Sequence, residues 1–498
     1  SVRKTLLLMK NLYLLILGSL FSLQLKAQSQ YFSVPVKVLD TYLEDSVHVI
    51  GRLDLDFPVD GKVFVQFDGE GFGDTLDRII LAANDQPDWG TNDGNVSFVS
   101  NEKGEGNCFS HTRTFSVTAG QHSFYAVAHN YVDNGGSGIA SIFGTLSVEF
   151  IPQNDEIISE SSITVDEYEA LQPVAFDSIT IETSGAGKVE LRLNGNLDIN
   201  FGDVMLVAIT DTKNWSFSDP NNIALEATAP NEYYVGFSFT RVVDIPKAGV
   251  YTFYAMAQRG YEEEGSGYIY AYTNFHARFY SSTSDNVVLG RKIIEDDFNL
   301  GQDLRLMDSI NLNVPNSGKV EIRFDGELQS SLGHQILLAA SNSPSYALEN
   351  GSVILEATDA DLDRHTFVHT QVYDVEPGTH TYYVMAEDYL GDGTAIDLHG
   401  HFLVKYYPES VVSANEALFT ELPFEIWPNP ATDRISIQYQ HAEEPMTISI
   451  LDLQGHVVRQ KRNMVSGSDL ETTTLPAGIY IVQLSNGKEN GYKMLVKE

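Results

Sequence analysis

The sequence lacks what a disulfide-held or nucleic-acid-binding protein needs. Cys108 is the one cysteine in 498 residues, so no bridge can close within the chain and every domain must hold itself by apolar packing. Basic residues are scarce, 31 Lys and Arg against 68 Asp and Glu, which leaves a formal charge of -37. A surface this acidic repels nucleic acid and anionic membranes and excludes them as partners; it suits divalent cations, or solubility outside a cell. Trp is rare at 3, whereas Tyr (25), Phe (26) and Gly (39) are plentiful, a balance that favours strands and turns. Helical spacing with caps is hardly visible. No nucleophile elbow, His-Glu-x-x-His pair or phosphate loop is present, so no catalytic residue is assigned.

The N-terminus reads as an export signal. Lys10 precedes the apolar run Leu12-Tyr13-Leu14-Leu15-Ile16-Leu17, and Leu25-Lys26-Ala27 offers a small residue for cleavage, giving a signal peptide over 1–27. The run is too short for a membrane span, so none is expected in the mature form. Met9-Lys10 makes a more natural start than Ser1. No cysteine follows the run to carry a lipid anchor.

Internal repetition is plain. Gly61-Lys62-Val63-Phe64-Val65-Gln66-Phe67-Asp68-Gly69 recurs from Gly187 to Gly195 and again from Gly318 to Gly326, with apolar and polar residues alternating as in a half-buried strand. Gly120-Gln121-His122-Ser123-Phe124-Tyr125-Ala126 recurs from Gly249 and from Gly378. The spacing of about 130 residues makes each copy domain-sized. The expected fold class is all-β: three tandem antiparallel sandwiches, jelly-roll or immunoglobulin-like, over 28–153, 154–282 and 283–412, then a linker over 413–422 and a small C-terminal sandwich over 423–498. Strand order is not readable. The short Pro-, Ser- and Asn-bearing seams predict semi-rigid beads on a string.

The copies filter the chemistry. His111 sits in Phe109-Ser110-His111-Thr112-Arg113; the third copy has His369, but the second has Phe239, so an imidazole base is not a shared feature and both histidines read as strand side chains. Thr112, Thr240 and Thr370 agree in all copies, as β-propensity alone allows. Cys108 has no counterpart and reads as packing. An aromatic residue in the variable loop of each copy, Trp89, Trp215 and Tyr346, is the candidate ligand-binding set, since an exposed ring can stack on a sugar. Asp85, Asp88 and Asp93 form the candidate calcium loop; Asp359-Ala360-Asp361-Leu362-Asp363 fails as an EF-hand because Arg364 stands where glycine is needed. No other cofactor is expected. Asp45-Ser46-Val47, Asp74-Thr75-Leu76, Asp177-Ser178-Ile179 and Asp308-Ser309-Ile310 are candidate O-glycosylation triplets.

After about Glu421 the chain changes character. Pro428-Asn429-Pro430 opens the segment, Asp452-Leu453-Gln454-Gly455 ends a strand, Leu475-Pro476-Ala477-Gly478-Ile479-Tyr480 feeds another, and Lys493 to Lys497 closes it. In order and position these motifs resemble the type A sorting domain of type IX secretion in Bacteroidota. The resemblance implies Sec export, passage of the outer membrane guided by this tail with the type IX machinery as partner, and release or surface attachment. With it, the repeats point to a secreted or surface-attached multivalent binding or adhesion protein, with an extracellular glycan or surface polymer as the other partner. The alternatives are an extracellular polymer-degrading enzyme, such as a glycoside hydrolase, and a non-binding structural spacer.

Overall fold

The computed structural model describes residues 29–497 except 44–45, 75–76, 89–95, 100–105, 132–136, 153–157, 201–202, 217–221, 228–233, 261–267, 332–333, 346–352, 357–362, 390–393, 409–423, 440–445, 452–456, 477 and 486–489. The signal peptide and the linker therefore lie outside the described residues. Among those described there is no helix.

The first module has eight strands: β1 (Gln30–Tyr42), β2 (His48–Phe57), β3 (Gly61–Phe72), β4 (Arg78–Asn84), β5 (Val96–Val99), β6 (Gly106–Val117), β7 (Gly120–Tyr131) and β8 (Ile139–Pro152). They form two sheets, ordered β1-β8-β3-β6 and β2-β7-β4-β5, all pairs antiparallel. This alternation of neighbours between two sheets is the jelly-roll order, which decides against the immunoglobulin-like option.

The second module repeats it with β9 (Ile158–Glu169), β10 (Val174–Thr183), β11 (Gly187–Asp198), β12 (Val204–Thr210), β13 (Asn222–Glu226), β14 (Tyr234–Ile245), β15 (Gly249–Arg259) and β16 (Tyr268–Ser281). The third does so with β17 (Val287–Leu300), β18 (Arg305–Val314), β19 (Gly318–Ser330), β20 (Gln335–Ser341), β21 (Val353–Glu356), β22 (Asp363–Val375), β23 (Gly378–Asp388) and β24 (Thr394–Pro408). Their sheets, β14-β11-β16-β9 with β10-β15-β12-β13, and β17-β24-β19-β22 with β18-β23-β20-β21, match the first module strand for strand.

The repeated Gly-Lys-Val block explains each core. Val63, Val65 and Phe67 on β3 point inward and are fully buried, as are Val189, Leu191 and Leu193 on β11 and Val320, Ile322 and Phe324 on β19. Each inward set packs against the Phe-x-Ala block of the facing sheet: Phe124, Ala126 and Ala128; Phe253, Ala255 and Ala257; Tyr382, Val384 and Ala386. Burying one such large side chain contributes roughly 1.5–3 kcal/mol, so each module has ample drive to close.

The expectation of beads on a string fails. Residues 26–410 form one compact unit. The outward residues of β3, β11 and β19, spaced by two and polar except for Phe64, face the neighbouring modules instead of water, and all of Asp68, Arg192, Asn194, Arg323 and Asp325 are buried. Two of the three cores stay separate, but Cys108 of the first module packs into the apolar cluster of the third, where it meets the Val368 backbone. Its burial pushes the thiol well up. The packing role read for Cys108 is thus served between modules.

The C-terminal unit has its own core. β25 (Phe424–Trp427), β26 (Arg434–Tyr439) and β29 (Ser468–Glu471) make one sheet; β27 (Met446–Leu451), β28 (Val457–Met464), β30 (Gly478–Ser485) and β31 (Asn490–Lys497) make the other, in the order β28-β27-β30-β31. Ile435, Ile437, Ile448, Ile450, Val482, Leu484 and Leu495 fill the space between them.

Candidate functional site

The centre of the three-module unit is an ionic cluster built from equivalent positions. The register pairs position 64 with 149 in the first module, 190 with 278 in the second and 321 with 405 in the third. Those six places carry Phe64 and Glu149, Glu190 and Arg278, Glu321 and Lys405. Two residues further along β3, β11 and β19 stand Gln66, Arg192 and Arg323, and then Asp68, Asn194 and Asp325. Alternation puts all of them on the outer face of their sheets, where the modules meet.

Arg192 donates from Nε to Glu190 Oε1 at 2.5 Å, from Nη2 to Glu321 Oε1 at 2.8 Å, and from Nη1 to Gln66 of the first module. Lys405 Nζ donates to Glu149 at 2.8 Å and to Glu190 at 2.9 Å, so one ammonium joins all three modules. Arg278 pairs with Glu149. Arg323 is fully buried; it bonds its own Asp325 at 2.9 Å, Asp68 of the first module, Ser110 at 3.1 Å and Ser238 of the second module at 2.6 Å.

The shared threonines belong to this cluster. Thr240 donates to Asp325 at 2.5 Å, Thr370 donates to Asp68 at 2.9 Å, and Thr112 accepts from Asn194 at 2.7 Å. Tyr280 and Tyr407 hydroxyls donate to Glu190 at 2.7 Å and Glu321 at 3.0 Å. A cavity of about 30 Å³ remains among Tyr31, Thr112, His276 and these ion pairs, about the size of one water.

The electrostatics follow from this geometry. Burial alone would raise Glu190 and Glu321, but Arg192 and Lys405 outweigh it and hold both carboxyls below the usual range. Burial pushes Lys405 down to about 8 despite its carboxylate neighbours. His276 is buried and falls to about 4, so it is neutral here. The charged groups that module 1 brings to these ion pairs are carboxylates, Asp68 and Glu149, while modules 2 and 3 supply the cations Arg192, Arg278, Arg323 and Lys405. Three identical modules would bring like charges together at the centre; divergence between the copies removes that repulsion and fixes which module sits where. Such a cluster holds the modules; its carboxylates and cations are committed to one another.

The residues singled out from sequence are placed elsewhere. His111 and His369 are buried strand residues whose Nδ1 atoms each accept a backbone N–H from the facing sheet, Ala83 and Ala340, both at 2.9 Å. Trp215 corrects the stacking proposal: it is buried against Ala208 and Met256 on the outer face of its sheet and has no open ring face to offer. Trp89 and Tyr346 lie outside the described residues. Asp85 and Asp88 lie in a bend after β4 held by Asn84, whose side chain donates to the Asp88 carbonyl at 2.8 Å and accepts from Arg113 at 2.9 Å. Asp93 lies outside the described residues, and among those described no group of three His, Cys, Asp or Glu could hold a metal. Asp177-Ser178 and Asp308-Ser309 sit at the bulges of β10 and β18, each serine N–H bonded to its aspartate at 2.6 Å.

Sequence reasoning missed the ionic centre because an outward charged residue on a strand reads as solvated. The signal was available: the charge at equivalent outward positions differs from copy to copy, Glu149 against Arg278 and Lys405, Gln66 against Arg192 and Arg323, while the adjoining threonine does not change.

In the tail, Pro428, Asn429 and Pro430 form the exposed bend after β25. Tyr480 on β30 is buried and donates to the Pro476 carbonyl at 2.9 Å, which ties the strand to its own entry turn just before Gly478. Lys493 and Lys497 lie on β31, Lys493 exposed; Asp452 and Gly455 fall outside the described residues. Among the described residues no helix is long and apolar enough to cross a membrane.

No curated protein matches the chain. Among solved structures, one described as the triple jelly roll fold and turret assembly in an archaeal virus is 9% identical, over 77% of this chain and 91% of that one, with a TM-score of 0.18. Sulfolobus Turreted Icosahedral Virus is 10% identical over 77% and 92%, with a TM-score of 0.17. The BSP domain of a biofilm associated protein is 12% identical over 94% and 96%, with a TM-score of 0.13. Likeness at these scores carries no argument. Residues 425–498 match the family described as the secretion system C-terminal sorting domain; the tail is a sorting domain of type IX secretion, and it addresses the chain for release or for attachment at the outer-membrane surface.

Proposed function

We propose that the exported chain is a multivalent binding or adhesion protein that grips an extracellular glycan or surface polymer through one end of each jelly roll. One observation carries this reading. Large apolar side chains are exposed at the same end of every module, where β1 passes to β2 and β7 to β8 in the first and their counterparts do so in the others. They are Tyr42, Val49 and Ile139; Leu171, Tyr268 and Tyr270; Leu306 and Tyr389, all between 38% and 55% accessible.

Tyr42 and Ile139 are directly opposite in register. Tyr268 and Tyr270 alternate on β16 and share a face, with Glu169 and Glu167 exposed on the neighbouring strand. Glu167 pushes the Tyr270 phenol up, the mark of a close carboxylate. A flat ring beside a carboxylate supplies an apolar face for sugar C–H groups and acceptors for sugar hydroxyls. Three such ends on one rigid unit raise the effective concentration of each for a repeating polymer.

A glycan array probed with the full chain tests the reading. Binding that is lost in the Tyr268→Ser/Tyr270→Ser double variant supports it. Turnover of the bound polymer would replace it with an enzyme. The buried ionic centre favours a second reading, a rigid structural block, which silence across the array and in cell-adhesion assays would support.

A further inference from the structure

The junction between the second and third modules holds a cleft of about 210 Å³, room for about seven waters. One wall comes from the third module. Lys292 on β17 and His401 on β24 are directly opposed in register and so share a face. The other wall is Thr240 and Val242 on β14 of the second module. Gly290, two residues before Lys292, keeps the modules close: a Cβ there would lie 2.7 Å from Val242 Cγ2 and 2.8 Å from its Cβ.

Arg241 and Arg291 also border the cleft. Arg241 donates to the Ile209 carbonyl at 2.5 Å, and Arg291 pairs with Asp308 at 2.9 Å. His401 is more than nine-tenths buried, and its Nδ1 has no hydrogen-bond partner among the described residues. Its ring edge meets Phe239 of the second module at 4.8 Å. Two arginines, a lysine and an unengaged imidazole nitrogen around one cleft are out of keeping with a chain of net charge -37.

We propose that this cleft is a binding site for a singly charged oxyanion group, a carboxylate or a sulfate ester on an extracellular sugar, held by Lys292 and His401. Lys292 supplies the charge and the imidazole, once its Nδ1 carries a proton, supplies a directed donor. Burial is the main cause that pushes His401 down to about 4; Lys292 and Arg241 push the same way, and Asp325 on β19 pulls up against them. An anion seated there favours the protonated ring, so binding and His401 protonation help one another. The site is separate from the tyrosine ends, and its success or failure leaves them untouched.

The test uses the full chain, with glucuronate and glucose 6-sulfate as probes and neutral glucose as blank, at ionic strength fixed with sodium chloride. Calorimetric binding should weaken about tenfold in Lys292→Gln, the loss of one charge-assisted hydrogen bond. The exposed Lys319→Gln should bind as the parent does. The His401 ring signal, assigned by its loss in His401→Gln, should titrate at higher pH when the probe is bound, a shift that a purely structural role would not give. Preference between the two probes tells which group the cleft reads. Equal binding by parent and Lys292→Gln, or no binding above the glucose blank, overturns the proposal. Should Lys292→Gln melt early, the unmodified chain still decides through the His401 titration: a midpoint unmoved by saturating probe rejects the site.

Discussion

Arg323→Met is the sharpest perturbation of the three-module unit. The guanidinium lies at the meeting point of all three modules and bonds Asp68, Asp325, Ser110 and Ser238. Methionine fills much of the volume but leaves two buried carboxylates facing each other with only uncharged donors, the Ser110, Ser238, Thr240 and Thr370 hydroxyls, the Gln66 amide and the Thr240 N–H. Removing one partner of a buried ion pair costs about 3–5 kcal/mol. Unfolding entropy is about 2.1 cal/mol/K per residue, so the unit Lys26–Ser410, about 385 residues, carries about 0.8 kcal/mol/K. The melting midpoint should therefore fall by about 4–6 °C. Asp68→Asn and the Arg323→Met/Asp68→Asn double variant close a cycle across modules 1 and 3, with a coupling of about 1–3 kcal/mol expected. An unchanged midpoint with additive single effects would refute the idea that this guanidinium holds the modules together.

Acid should loosen the unit. His276 and His401 have folded values near 4, below the ordinary 6.5, so the unfolded chain binds more protons between those limits and stability falls with pH across that window, by on the order of 3 kcal/mol per ring. Glu190 and Glu321, held low in the fold, add a further loss below about pH 4.5; melts from pH 7 to 4 check both. Lys405 works in the same direction at higher pH: its folded value near 8 lies below the ordinary 10.5, so stability should rise with pH between about 8 and 10.5, read by melts over that range. Gly290→Ala forces a methyl onto Val242 and should cost about 1–3 kcal/mol, while Gly185→Ala, with nothing within 4 Å, should melt as the parent does.

The sequence shows the modules and hides their assembly, for a physical reason. Alternation along Val63, Val65 and Phe67 announces a strand with one apolar face, and the same pattern at Val189 and Val320 announces three of them. Period-two alternation says which face is buried but not which strand lies alongside, so the order β1-β8-β3-β6 was not available from it. Arg192, Arg323 and Asp325 look like surface residues because a charge on a strand is usually solvated; here they are buried by other copies of the same fold. Thr240 and Thr370 gave a true but under-read signal, since their hydroxyls serve buried carboxylates. Trp215 misled because a loop position suggests exposure, whereas the ring folds back on Ala208 and Met256. The tail was legible because its identity rests on ordered short motifs, and the match over 425–498 agrees with them.

The most direct test of the account is the radius of gyration of the unit Lys26–Ser410 in solution, measured by small-angle X-ray scattering. Three jelly rolls closed around a buried ionic centre should give about 21 Å, the value for one compact body of that length. Three beads in line, each of about 14 Å and about 40 Å apart, would give about 35 Å, and a result near that figure would contradict the account.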